Sequence, residues 1–210
     1  MSNESTLVKK SKQELIDIIN NLQTENAALK VMQSYIQTQN ERLERLEKSH
    51  YQNLQYQRRD TIEIAGIPDT IQQRDLEGEV VKIYEAAKVL VDGYKLASWQ
   101  IQACHRIGKK GNTIVKFVNR KHAREGLFCG RNLKEANVYG NGTKIYINTS
   151  FCDEYRHINY LVRQAKKANR IFRWKVKNGV NHVQLEEGGD FKEIGHKNDL
   201  IRLSLIDDSE

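Results

Sequence analysis

The chain has 210 residues, 39% of them hydrophobic and 29% charged, and a formal net charge of +7. That length admits one ordinary domain or two small ones, and the positive balance makes a polyanionic partner worth testing. Three cysteines without CxxC spacing (Cys104, Cys129 and Cys152) argue against a disulfide framework and a zinc site, and for free thiols in a reducing compartment.

The opening decapeptide, MSNESTLVKK, has no apolar core of a signal peptide, and no later apolar run approaches a membrane span. The expectation is a soluble intracellular protein of the cytoplasm, with the nucleus left open and membrane association disfavoured.

Residues 8–57 contain neither Gly nor Pro. Leu15, Ile18, Leu22, Leu29, Met32, Ile36, Leu43 and Leu46 fall on the a and d positions of a heptad frame. Glu25 and Gln39 interrupt the d positions, and His50 and Asn53 end the frame. A seam this narrow needs other chains to cover it, which favours self-association over a helix folded back on the downstream domain. Arg42 at g and Glu47 at e flank Leu43 and Leu46 and can pair across chains. The order of these residues resembles a motif of three-stranded parallel coils, so a homotrimer is preferred to a dimer. Residues 1–57 are read as an oligomerising coiled coil.

Beyond Tyr56 the seven-residue period is lost. Thr61 to Ala65 alternates as a strand, and Gly66-Ile67-Pro68, with the sole proline, ends it. Leu76, Val80, Ile83, Ala87 and Leu90 have helical spacing over residues 74–90. A strand over 100–107, a Lys109-Lys110-Gly111 turn and a strand over 113–118 follow. A helix over 120–133, with Ala123, Leu127 and either Phe128 or Cys129 inward, leads to a strand over 144–148. The order βαββαβ predicts a four-stranded sheet with two helices on one face, for a domain of residues 58–148.

Ser150 and Asp153 suggest a capping-box start to a helix reaching about residue 170, with Tyr155, Ile158, Val162 and Ala165 inward. Strands over 173–176 and 180–185 flank Asn178-Gly179, a strong hairpin signal. A short element over 198–203 closes a basic α+β domain of residues 149–204, and residues 205–210 form an acidic tail.

Charge is unevenly distributed. Residues 101–134 carry nine basic side chains and one acidic, residues 156–177 carry eight and none, and residues 186–210 carry three and eight. Period-two alternation turns Val115 and Phe117 toward the helices and Ile114 and Lys116 outward. In the preceding strand it groups Gln102, Cys104 and Arg106 opposite Ile101, Ala103 and Ile107. His105 falls on the apolar side by parity, as either a core or a ligand-facing histidine. Arg120, Lys121 and Arg124 open a helix whose N-terminus disfavours cations, so a compensating anion is inferred. Arg156, Arg163, Lys167 and Arg170 form one stripe, which Arg173, Trp174 and Lys175 extend. Arg and Lys beside a Trp suit phosphates and base stacking together. The candidate nucleic-acid-binding set also includes Arg58, Arg59, Arg106, Lys109, Lys110, Lys116 and Arg131.

Among motifs of catalysis, GxSxG, the P-loop and HExxH are absent. The residues suggest no enzyme, metal, cofactor or small-molecule substrate.

The succession of a heptad segment, RRDTIEIAGIP, CHRIG…TIVKFVNRKHARE and a basic C-terminal part resembles the RNA-binding first-open-reading-frame proteins of LINE retrotransposons. The stretch KIYINTSFCDEYRHINYLVRQAKKANRIFRWKVKNGVNHVQL…IGHKNDL also resembles the few-polyhedra (FP) proteins of baculoviruses. Together they cover nearly the whole chain. The resemblance implies an RRM-like domain in a homotrimer that coats single-stranded RNA and acts as a nucleic-acid chaperone. For the viral relatives it implies a role in virion production in the cytoplasm and nucleus. The alternative is an FP-type scaffold whose basic domain meets an acidic protein or a membrane surface. Against the RNP1 pattern of RRMs, Asn112 and Ile114 stand where stacking aromatics are usual, and Glu63 replaces the ring of the first strand. Binding through charge, to single-stranded RNA or DNA with little sequence preference, is therefore expected.

Overall fold

The protein is described by a computed structural model over residues 12–108, 111–140 and 142–206. It is a mixed α+β chain with a long N-terminal helix and two antiparallel sheets. Two compact units divide it at residues 47 and 48.

The long helix, α1, runs Lys12–Tyr56. Along residues 12–47 its heptad positions Leu15, Ile18, Leu22, Leu29, Met32, Ile36, Leu43 and Leu46 are all exposed. The last turns belong to the second unit, where Tyr51 and Leu54 pack against a hydrophobic core and Gln55 is buried. The heptad frame fails at His50 and Asn53 because these turns serve a different core.

In the second unit, β1 (Thr61–Ala65), α2 (Leu76–Ala86), β2 (Ile101–Arg106), β3 (Thr113–Phe117), α3 (Arg120–Cys129) and β4 (Tyr146–Thr149) follow in order. The sheet order is β2-β3-β1-β4, with every neighbouring pair antiparallel. Ile62, Ile64, Val115 and Phe117 point to one face and are fully buried with Val80, Ile83, Tyr84 and Ala123 of the helices. The helices approach closely: a Cβ at Gly126 would lie 2.1 Å from the Tyr84 hydroxyl. That hydroxyl donates to the His122 carbonyl at 3.1 Å.

Several expectations change here. α2 stops at Ala86 because Lys88 takes a left-handed conformation (φ 55°) and Val89 N–H donates back to the Tyr84 carbonyl; Leu90 is consequently exposed. In α3 the inward residues are His122, Ala123 and Gly126, while Leu127 and Phe128 are exposed. A register shift between Ile101 and Ala103 reverses the parity of β2. Cys104 pairs with Val115 and packs against the core, and His105 pairs with Ile114 and is exposed on the open face. Burial pushes the Cys104 thiol up to about 12, with Glu77 adding to the shift.

The chain continues through α4 (Asp153–Lys167), β5 (Arg173–Lys177), β6 (Val180–Gln184), β7 (Lys192–Ile194) and α5 (Lys197–Arg202). Tyr155, Ile158, Val162 and Ala165 of α4 bury against Val183 and Ile194 of the β5-β6-β7 sheet and Leu200 of α5. Asn178 and Gly179 have φ of 54° and 80°, as the Asn-Gly hairpin demands. The anticipated capping box is replaced by a longer-range device. Cys152, not Ser150, is the α4 N-cap, and its N–H donates to Gln55 Oε1 at 3.0 Å. Gln55 Nε2 donates to the Ser150 carbonyl at 2.9 Å. Gly179 faces the same amide, and a Cβ there would sit 2.6 Å from Gln55 Nε2. At the other edge Asp199 accepts from Lys48 Nζ at 2.9 Å and from the Gly195 and His196 N–H groups. Tyr51 stacks on His196, the rings 5.9 Å apart.

A candidate polyanion cleft

The turn after α1, the β1–β4 half of the open sheet, α3, α4 and the β5–β6 hairpin together enclose a cleft of about 970 Å³. It takes in both faces of β4, Tyr146 and Asn148 from one and Ile147 and Thr149 from the other. Seven cations line it: Arg58, Arg59, Arg120, Lys121, Arg124, Arg156 and Arg163. Glu63 is the single carboxylate in the lining.

Local structure explains how these cations converge. The α1–β1 turn delivers Arg58 and Arg59, and Arg58 Nη1 donates to Ser150 Oγ at 3.4 Å. The Arg59 guanidinium lies over the Tyr56 ring, 4.3 Å from its centroid. Asn119 caps α3 by accepting from the Lys121 N–H, which presents Arg120, Lys121 and Arg124 in the first turns. Arg156 and Arg163, seven residues apart, share one face of α4 opposite its buried stripe. Trp174 and Val176 line the cleft from β5.

Some of this charge is already matched at the cleft's margins. Lys121 pairs with Asp92 at 2.8 Å, Arg124 with Glu125 at 2.9 Å and Arg156 with Asp153 at 2.9 Å. Lys121 holds the Asp92 carboxyl below its usual range. Among the described residues, Arg58, Arg59, Arg120 and Arg163 have no carboxylate partner, and Arg120 and Arg163 are the two on helices. The site can therefore hold an extended anion, with both exposed guanidinium groups and side-chain amides available to it.

Eight of the sixteen proposed nucleic-acid-binding residues thus come together: the seven cations and Trp174. The rest do not line the cleft. Arg106 is turned to the helix side by the β2 bulge, and its guanidinium donates to the carbonyls of Ile67, Pro68 and Ile71, the shortest at 2.6 Å. Its side chain is 15% exposed and serves to fix the loop after β1. Lys116 is on the open face, 3.9 Å from Asp60, and outside the cleft. Arg131 stacks on Phe128, 4.5 Å from the ring centroid. α4 ends before Arg170, which donates to the Leu205 carbonyl at 3.0 Å. Lys167 is exposed away from the cleft, and Arg173 points to the face of β5 opposite Trp174. Lys109 and Lys110 lie outside the described residues. The seam residues, with Arg42 and Glu47, remain on the exposed surface of α1.

Cleft residues outside the expected set include Tyr146, Asn148, Asn159 and Asn112. The alternation in KIYIN carried the signal for the first two, since Ile145 and Ile147 face the core and leave Tyr146 and Asn148 on the open face. Asn159 Oδ1 is buried without a hydrogen-bond partner. Among the described residues no cluster of His, Cys, Asp and Glu could hold a metal ion, and no helix is long and apolar enough to cross a membrane. No family model matches the chain, and no curated protein matches it.

Proposed function

We propose that this chain is a non-enzymatic, self-associating binder of single-stranded nucleic acid, RNA foremost, which it coats in the manner of a chaperone within an intracellular ribonucleoprotein. The observation that carries this reading is the cleft, whose lining has seven cations and one carboxylate together with two exposed or half-exposed rings, Tyr146 and Trp174. Folded proteins rarely concentrate like charge without an external counter-charge, and a single strand supplies phosphates and stackable bases together. The β2-β3-β1-β4 order supports an RRM-like reading of residues 58–148. The layout of long helix, sheet domain and basic C-terminal part supports kinship with the LINE and FP proteins. The exposed a and d residues of α1 support a parallel coiled coil, a trimer in preference to a dimer.

Fluorescence anisotropy with a labelled single-stranded RNA tests the binding. Seven phosphate contacts predict a slope of log K against log salt of about −5. A slope flatter than about −1, or no binding, refutes the reading. Light scattering on the same sample tests the coil: the expected mass is three times the 24.4 kDa chain. A monomer overturns self-association, and a dimer overturns the trimer alone.

A further inference from the structure

A carboxylate in the middle of a phosphate-binding cleft is unfavourable unless phosphates stay away from it. Glu63 projects from the open face of β1 into a cleft whose cations come from α3, α4 and the α1–β1 turn. Its cross-strand neighbours on that face are Ile114 and Asn148. Asn112 donates its amide Nδ2 to Glu63 Oε1. The open face of the sheet therefore presents an amide, a carboxylate and a second amide, and the cations of the same cleft stand on the helices and the turn. Tyr146 stands two residues from Asn148 on the same face and is exposed. Diagonal neighbours across an antiparallel pair are roughly 7–8 Å apart, so a base lying flat on Tyr146 brings its edge to Glu63.

We infer that Glu63, held by Asn112, reads the edge of a nucleobase, and that the cleft prefers bases with an exocyclic amino group to uracil. This rests on the proposal that the cleft binds a single strand. A carboxylate accepts hydrogen bonds and donates none, so it pairs with the amino group of cytosine, adenine or guanine. Uracil flanks the one donor of that edge, N3–H, with two carbonyl oxygens, and these repel a carboxylate that approaches it. Phosphates meanwhile follow the cations of the cleft, which leaves the bases to the open face of the sheet. The preference is superimposed on charge-driven binding and does not replace it.

The test compares oligocytidylate with oligouridylate of about twelve nucleotides, a length in the range of single-strand sites. The two differ at position 4 of the pyrimidine, an amino group against a carbonyl, and at the adjoining N3, a bare acceptor against an N–H. The full-length protein is expected to bind the cytidylate about fivefold more tightly, the low end for one base-edge contact. Glu63→Gln is expected to bring the ratio within about twofold, because its amide accepts from cytosine and donates to uracil equally well. It also tightens binding to both by removing a negative charge. Equal affinities in the unaltered protein overturn the inference, while a steep salt dependence in the same titrations leaves the binding proposal standing. A cytidylate preference that survives Glu63→Gln likewise overturns the role of Glu63. If neither oligonucleotide binds, the binding proposal fails and the inference falls with it.

Discussion

Replacing Arg120 and Arg163 by Gln separates a cleft from a diffuse positive surface. The two come from different basic blocks, one on α3 and one on α4, yet line the same cleft and lack a carboxylate partner among the described residues. Neutralising them removes two phosphate contacts without releasing an unpaired carboxylate. Each contact contributes about 0.7 to the salt slope, so the slope becomes shallower by about 1.4. At about 150 mM salt the same relation gives about a fourfold loss per contact, or about fifteenfold for the pair. The matched control is Arg131→Gln with Lys167→Gln, which removes the same charge from residues outside the cleft. Its expected effect is below about twofold, because exposed charges that touch no phosphate act on the strand only through screening solvent. Anisotropy titrations over a salt series, with circular dichroism to verify the fold, measure all three proteins. Equal losses in the two double variants would refute the argument, since binding would then follow net charge and not the cleft.

Two further outcomes follow from groups around the cleft. Gln55→Leu leaves the Ser150 carbonyl and the Cys152 N–H buried without partners, at about 1–3 kcal/mol for each group. A lowered urea midpoint measures the loss; an unchanged midpoint means solvent reaches both groups. Burial pushes the pKa of His122 below its ordinary 6.5, opposed by Asp92, and its Nδ1 has no partner against Phe117. The unfolded chain takes up this proton near its ordinary value and the folded chain only at lower pH. Stability is therefore lost as pH falls through 6.5. His122→Gln should reduce that loss, and a pH dependence identical in both proteins would exclude His122 as its source.

Strands with one buried face were legible because a period of two must show where alternate residues meet a core, as in TIEIA and TIVKF. β7, three residues with two charges in succession, offers no such period. The bulge in β2 was also illegible: one extra residue reverses the parity of everything after it, and nothing in IQACHR announces it. That reversal removed Arg106 from the site and placed His105 on the open face. The basic blocks were visible as composition, but a block does not say which of its members converge. Arg120 and Arg163 point to one place because a cap fixes the start of α3 and an apolar stripe fixes the rotation of α4. Gln55 was read as part of a coil because its role depends on a loop about a hundred residues away.

The deficit of carboxylates in the cleft is a matter of placement, since the chain has 27 of them. Asp92, Glu125 and Asp153 match three of its cations at the margins, and other carboxylates are committed elsewhere or do not line it. Asp199 is held by Lys48 and two backbone N–H groups, and Glu79 by Lys82. Glu186, Glu187, Asp190 and Glu193, the carboxylates concentrated after β6, do not line the cleft. Like charges gathered along one cleft repel one another, and on the proposed reading a bound polyanion relieves that repulsion. A polyphosphate relieves it over several residues at once, where a small anion would meet only one or two. If α1 joins three chains, three such clefts act on one strand. Engagement of the first raises the effective concentration of strand at the others, so the assembly holds a long strand more tightly than any single cleft can.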